Sequence, residues 1–480
     1  MNRFRVLLAI ATLPSLAPLG VAADDDPGFR AGAAAVDISP DVTPFQLRSG
    51  PSHLVHDPLH VRAIAFENGE GRAVIAIIDA IGTGREMTDE AKKIVAERTG
   101  WNPGEMMVAA THTHTAPKGG DTSPGRIAYE KMRREGVIEA LAQAIEALEP
   151  AEAGFASDEE PSEVYNRRWY LQPGVENLNP FGEQDKVRTN GPRDKIEKPA
   201  GPIDPEVAVV DVRTRRGRPL GLLANYALHY VGGVPKTTTA EGRVMGMASA
   251  DYFGEFARIL PYRVAGANPP ESFVAMMSNG ASGDINNIDF YQRRAPRAPF
   301  EQIRVVATKT ADAAYRAVKK IENYDEDPTV AMLQREVELT YRTMNESEIA
   351  RAEKLLGLSR DEREKIHSRT TQYANATLQY TEPDRTEKVI VQAVRIGDQA
   401  IVSMPFEVFV EIGLEIKERS PFPHTLLIEQ ANGSHGYLPT PEQHELGGYE
   451  TWIGTSRFVP DSSRVLTEEL LAMLEELVRY

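Results

Sequence analysis

The chain has 480 residues, 41% hydrophobic and 26% charged, which is ample for a large buried core. Its formal net charge of −16 argues against nucleic acid or an anionic membrane as its main partner. It has no cysteine, which excludes disulfides, a cysteine nucleophile and a thiolate metal site, so any metal must rest on histidine, carboxylate, tyrosine or backbone oxygen.

The opening MNRFRVLLAIATLPSLAPLGVAADDD sets Arg3 and Arg5 before an apolar run and ends it at Val21-Ala22-Ala23. That order predicts a signal peptide over residues 1–23 and a secreted or periplasmic product, one domain over 24–480. No stretch is long and apolar enough for a membrane span. "AGAAAVDISP" predicts a first strand, and "VRAIAFENGEGRAVIAIID" a hairpin turning at Asn68-Gly69. "MTDEAKKIVAERTG" predicts a helix capped by Thr88 and stopped by Gly100. "MMVAATHTHTAP" is a short buried strand that places His112 and His114 one residue apart, on one face if the strand continues. A helix runs from "GRIAYEKM" to Pro150.

Residues 171–205, polar and rich in Pro and Gly, predict a surface excursion over a site. "EVAVVDVRTRRGRPLGLLANYALHY" is a hairpin turning at Gly217 and ending at His229, and "ESFVAMMSNGASGD" is a strand that enters a small-residue loop. A helix is expected over 300–321, a strand in "DPTVAMLQREVELTYR" and a solvated helical pair over 345–375. "KVIVQAVRIGDQAIVSMP" is a hairpin turning at Gly397-Asp398, followed by a helix from Glu407 to Arg419, the strand "HTLLIEQAN" and a C-terminal amphipathic helix. The fold class is therefore α+β, with layered mixed β-sheets flanked by helices.

Four strand ends carry the polar groups: Thr111–His114, Asn225–His229, Ser278–Asn287 and Ser403–Phe409, the last containing Glu407. Strands that end in His, Asp and Glu are how a sheet delivers ligands to one edge. Paired imidazoles suit a divalent metal, or a metal ligand beside a second catalytic group. "GSHGYLPTPEQHELGGYE" adds Tyr437, Tyr449 and His435 in a segment able to cover a pocket. Residues 53, 56 and 60 are also histidines, but their spacing in a Pro-broken loop is not a strong ligand pattern.

Motif by motif, in order, the chain resembles the neutral/alkaline non-lysosomal ceramidases. The matching segments are "VDISP", "HDPLHVRA", "THTHTAP", Asn166-Arg167, "GYLPTPEQ" and "GGYE", and the His-x-His motif and the Tyr-to-Tyr stretch are the most specific. The resemblance implies a neutral-ceramidase-like catalytic domain that hydrolyses the amide of ceramide or a related N-acyl lipid with one zinc ion, Zn2+. It implies His112, His229, Glu407 and Tyr437 as zinc ligands. It also implies His114, Arg167 and Tyr449 as groups that polarise the amide carbonyl and stabilise its oxyanion. Other readings stand beside these roles: Arg167 as a surface ion-pairing residue, Tyr449 as a packing residue, and Glu407 as a helix-start carboxylate.

Two departures from that pattern matter. The family's proposed serine nucleophile falls on Asn286 in "GASGDINNID". Metal-activated water attacks directly with Asn286 donating to the oxyanion, or Ser282 supplies the hydroxyl, or the site holds zinc without turnover; the first is preferred because metal-activated water needs no serine. Asp284 either orients this loop or caps a turn. The family's C-terminal immunoglobulin-like domain also has no counterpart, so metal-dependent amide hydrolysis is the firmer expectation and ceramide itself the weaker one. A zinc esterase and a zinc-holding lipid- or ligand-binding protein are the competing readings. The expected partner is an N-acyl lipid, with peripheral membrane contact and no nucleic acid.

Overall fold

The computed structural model describes residues 28–480 except 42–43, 121, 239–241 and 243, so the predicted signal peptide lies outside the described residues. The long apolar runs form an eight-stranded mixed sheet from β1 (Arg30–Asp37), β2 (His60–Asn68), β3 (Gly71–Ile78), β4 (Met106–Ala110), β5 (Glu149–Glu159), β6 (Glu206–Thr214), β7 (Pro219–Tyr226) and β8 (Val274–Asn279). Its order is β8-β7-β6-β5-β1-β2-β3-β4, with parallel pairing at both edges, β7 to β8 and β3 to β4. The expected hairpins join β2 to β3, with Gly69 at φ +55° in the turn, and β6 to β7.

The later chain adds β9 (Val330–Thr340), β10 (Thr386–Ile396), β11 (Gln399–Ser403), β12 (Glu407–Val408), β13 (His424–Ile428) and β14 (Tyr437–Leu438). Strands β9, β10, β11 and β13 form a second sheet in that order, and β12 and β14 pair in parallel by themselves.

The layering follows from side-chain alternation along the strands. In β2, Val61, Ala63 and Ala65 face the helices Arg85–Thr99 and Pro124–Glu146, while Ile64 and Phe66 face the second sheet. The helices Asp251–Ala265 and Glu301–Lys320 cover the β5–β8 half, where Phe256, Leu260 and Val306 meet Val209, Leu222 and Met277. In β13, Leu426 and Ile428 face the large sheet, and Leu427 faces the helices Val410–Arg419 and Ser462–Leu477. The result is four layers, helix–sheet–sheet–helix, which is the expected α+β class.

The large sheet does not lie open. Just after β13, Glu429 N donates to Asn279 O at 3.1 Å on one edge, and Asn432 N donates to Val108 O at 2.8 Å on the other. Strand β8 also packs against β2 and β4. The sheet therefore curls until its two edges lie on either side of residues 429–432, and the strand ends carrying His112 and His229 converge.

Several element boundaries differ from the sequence reading. The helix Arg85–Thr99 starts after Gly84, and Thr88 is a buried residue whose hydroxyl donates to Arg85 O at 2.9 Å. The helix Pro124–Glu146 ends before Pro150, which lies in β5. The helix expected from Glu407 begins at Val410, because Glu407 is held in β12. Residues 345–375 fold into three helices, Glu346–Gly357, Arg360–Ile366 and Thr370–Thr377, rather than a solvated pair. Ala352, Leu355 and Ala374 form a small core beneath their charged outer faces.

Candidate metal centre

Strand β4 ends at Ala110, and His112 takes φ +65°, so the alternation expected of a continuing strand is broken at that residue. The chain turns instead, and a side-chain network fixes the turn. Thr113 Oγ1 and Thr115 Oγ1, on either side of His114, donate to the Asp251 carboxylate at 2.6 and 2.8 Å. Asp251 is fully buried at the start of its helix, and burial pushes its carboxyl up to about 7. The same helix start is tied to "HDPLH": Asp57 accepts from Ser249 Oγ and from Ala250 N at 2.5 and 2.7 Å. That segment thus supports the His-x-His turn from behind.

The imidazoles of His112, His114 and His229 meet, with one ring nitrogen of each within 4.8 Å of the others. His112 Nδ1 donates to Ile81 O at 2.6 Å, which leaves Nε2 facing Glu407 Oε2 at 3.4 Å. Both of those facing atoms are buried and have no hydrogen-bond partner. Glu407 Oε2 lies 3.8 Å from His229 Nδ1, and His229 Nε2 lies 2.9 Å from His114 Nε2. Burial favours the neutral form of His112, but the Glu407 carboxylate outweighs it and raises the imidazole. Burial also raises Glu407, but His112, the Tyr437 hydroxyl and Arg167 outweigh it and hold the carboxyl low. Burial first, then neighbouring cations, keeps His114 and His229 well below the usual range, in the neutral form that binds metals.

Glu407 and Tyr437 are brought together by the backbone, since they are register partners in the β12–β14 pair. The loop after β8 presses on the same place: a Cβ at Gly283 would sit 2.6 Å from Glu407 O, so only glycine fits. Arg167 is buried and not a surface ion-pairing residue. Its Nη2 donates to Gly283 O at 2.7 Å and to Tyr437 Oη at 2.9 Å, its Nε donates to Glu450 at 2.8 Å, and its Nη1 lies 3.3 Å from His229 Nδ1. Glu450, itself fully buried, also pairs with Arg168 at 2.9 Å.

His114, Arg167, His229, Tyr437 and Tyr449 line a cavity of about 970 Å³, whose apolar wall includes Leu47, Val231, Val234, Met247 and Trp452. The 171–205 excursion contributes Glu176–Leu178 and Asp185–Asn190 in part, and the junction of the helices Arg360–Ile366 and Thr370–Thr377 contributes residues 365–369. Tyr449 both packs against the core and faces this cavity, with the Arg369 guanidinium 4.7 Å from its ring centre.

Asn286 stands apart from this cluster and does not line the cavity. Its Nδ2 donates to Asn190 Oδ1 at 2.7 Å, and its Oδ1 accepts from Ile288 N at 2.9 Å. Ser282 Oγ is equally committed, donating to Glu429 Oε1 at 2.7 Å. Asp284 caps the helix Val410–Arg419, accepting from Val410 N at 2.9 Å. His435 lies outside the first cavity and lines a second one.

Sequence reading missed Asp251, Glu429 and Glu450. Glu429 is fully buried, accepts from Val408 N and Asn279 Nδ2 at 2.8 Å each, and is pushed by burial up to about 7. The available signals were an acid closing the apolar run "HTLLIE" and an arginine doublet, Arg167-Arg168, that needs a buried counter-charge.

No family model and no curated protein matches the chain. Solved structures similar to it include two ceramidases. One is a neutral ceramidase from Pseudomonas aeruginosa, with a TM-score of 0.66 at 16% identity over 94% of this chain and 75% of that one. The other is a ceramidase complexed with C2, with a TM-score of 0.69 at 16% identity over 95% and 76% of the two chains. The chain has the neutral-ceramidase fold. In that fold the residues at the convergence of β4, β7 and β12 form the cluster described above.

Proposed function

We propose that this protein is an exported, zinc-dependent hydrolase that cleaves the amide bond of an N-acyl lipid of the ceramide type, or of a related N-acyl compound. The observation that carries the reading is the buried pair His112 Nε2 and Glu407 Oε2, 3.4 Å apart and without hydrogen-bond partners, beside two neutral imidazoles. Buried polar atoms left unpaired are costly, and an all-N/O donor set of this kind fits a divalent ion. The fold shared with two ceramidases and a cavity of about 970 Å³ with an apolar wall support the lipid substrate. Export rests on the predicted signal peptide. No helix among the described residues is long and apolar enough to cross a membrane.

His112, His229, Glu407 and Tyr437 would hold the ion, which supplies Lewis acidity and lowers the pKa of water to about 7. Arg167 binds the Tyr437 hydroxyl and holds it beside Glu407. His114 and Tyr449, on the cavity wall, donate to the amide carbonyl as charge develops on its oxygen. Cleavage adds the water oxygen to the acyl carbon and breaks the C–N bond; the neutral His114 is placed to take a proton from the attacking water and return it to the leaving amine. Asn286 orients Asn190, which does face the cavity.

The competing reading is a zinc-holding binding protein without turnover. It is favoured by the engagement of Ser282 Oγ with Glu429, which leaves that loop without a free serine hydroxyl. Release of fatty acid from a panel of N-acyl substrates, ceramide included, decides between the two. We expect hydrolysis by the zinc-loaded chain, and its loss together with the bound zinc in His112→Ala. Zinc bound at one per chain with no hydrolysis of any substrate establishes the binding protein.

A further inference from the structure

The buried pair is reached from two sides. The first cavity meets His114 and His229, whereas a second cavity of about 780 Å³ is walled by His112 and Glu407 themselves. Its remaining wall is rich in cations, with Arg85, Arg385 and Arg457. The charges there are unevenly satisfied. Glu387 is engaged by the Tyr341 hydroxyl and lies 3.6 Å from His435 Nδ1. Arg85 is bound to Asp89, Glu336 and the Lys388 carbonyl. Arg385 lies with its guanidinium 4.3 Å from the Tyr341 ring centre, and neither it nor Arg457 has a carboxylate partner among the described residues. Two unpaired guanidiniums in one cavity wall are matched by a planar anion that accepts two N–H bonds at once.

We propose that this second cavity binds a small carboxylate, held by Arg385 and Arg457 on the side of His112 and Glu407 that faces away from the first cavity. The binding does not rest on the proposed function.

The test uses the metal-free full chain and ¹³C-labelled acetate, read by NMR line broadening, with inorganic phosphate as the comparison anion. We expect millimolar acetate binding that is tighter than phosphate binding. It should weaken at least about tenfold in Arg385→Gln/Arg457→Gln, the scale of a lost charge-assisted hydrogen bond. It should be unchanged in His114→Ala, because His114 lines the first cavity and not the second. Arg385 is exposed, so Arg385→Gln alone serves if the double variant does not fold, and it should weaken binding in the same direction. No acetate binding, equal binding in the arginine variants, loss in His114→Ala, or tighter binding of phosphate each overturns the proposal. Because the readout needs neither metal nor turnover, intact acetate binding in a chain that hydrolyses nothing defeats only the hydrolase reading.

Discussion

Two neighbouring parts of the molecule treat their polar atoms in opposite ways. At the ends of β4 and β12, His112 Nε2 and Glu407 Oε2 face each other at 3.4 Å, buried and with no hydrogen-bond partner. Close by, in the loop after β8, the side chains of Ser282, Asp284 and Asn286 are bound to Glu429, to Val410 N, and to Asn190 and Ile288. Donors held by protein partners cannot turn to a ligand without breaking those bonds, whereas orphaned ones await a partner. The contrast supports the proposal that ligand binding belongs to the β4–β12 side and support to the loop side.

The largest expected effect comes from Arg167, which joins the two sides. Arg167→Ala leaves Glu450 buried with Arg168 as its remaining cation, and removal of one member of a buried pair costs about 3 kcal/mol. Chemical denaturation should show that loss, and a change under about 1 kcal/mol would mean that the network relaxes around the gap. Next is Asp251→Ala, which frees both threonine hydroxyls beside His114. Because Thr113 also adjoins the proposed ligand His112, zinc affinity, measured by chelator competition, should fall about 10- to 100-fold, as for other groups that orient a metal ligand. An unchanged affinity would remove Asp251 from the support of the centre.

Asn286→Ala sharpens the contrast directly. With the amide committed to Asn190, kcat should fall by less than the roughly 100-fold cost of a lost oxyanion donor. A full 100-fold loss would put the amide on the reacting carbonyl.

The last effect lies away from the centre and appears only as a slope with pH. Burial pushes Lys92 down to about 7 from 10.5, with Asn432 Oδ1 as its hydrogen-bond partner. Between those two values the unfolded chain holds more protons than the folded one, so stability should rise with pH by at most about 1.4 kcal/mol per unit. Lys92→Met should flatten that slope in denaturation curves taken from pH 7 to 10. A slope retained in the variant assigns it to other groups.

Much of the site was legible because it lies at the ends of apolar strands, where period-two runs stop and His or Glu follows. The structure brings His112, His114, His229, Glu407 and Tyr437 together, though through a turn at His112 and not by the strand alternation that the His-x-His spacing predicts. Element ends were less legible where tertiary contacts overrode local signals. Thr88 reads as a cap but is buried, and Glu407 reads as a helix start but pairs in β12. The helices over 346–377 read as a solvated surface because their charges hide a three-residue apolar stripe, and their reach into the first cavity has no local signal at all.

By itself the sequence determined the α+β class, the hairpins, the absence of thiolate chemistry and the residue types of the centre, because all of these follow from periodicity and composition. Only the tertiary structure decided which residues meet. The curl of the large sheet around residues 429–432 joins two edges that are far apart in the chain, and burial then selects the partners of each charge. Hence Arg167 proved to be buried, Asn286 to be held by Asn190, and Asp251, Glu429 and Glu450 to support the centre. Long-range contact and burial leave no periodic trace in the chain, so local pattern could not announce them.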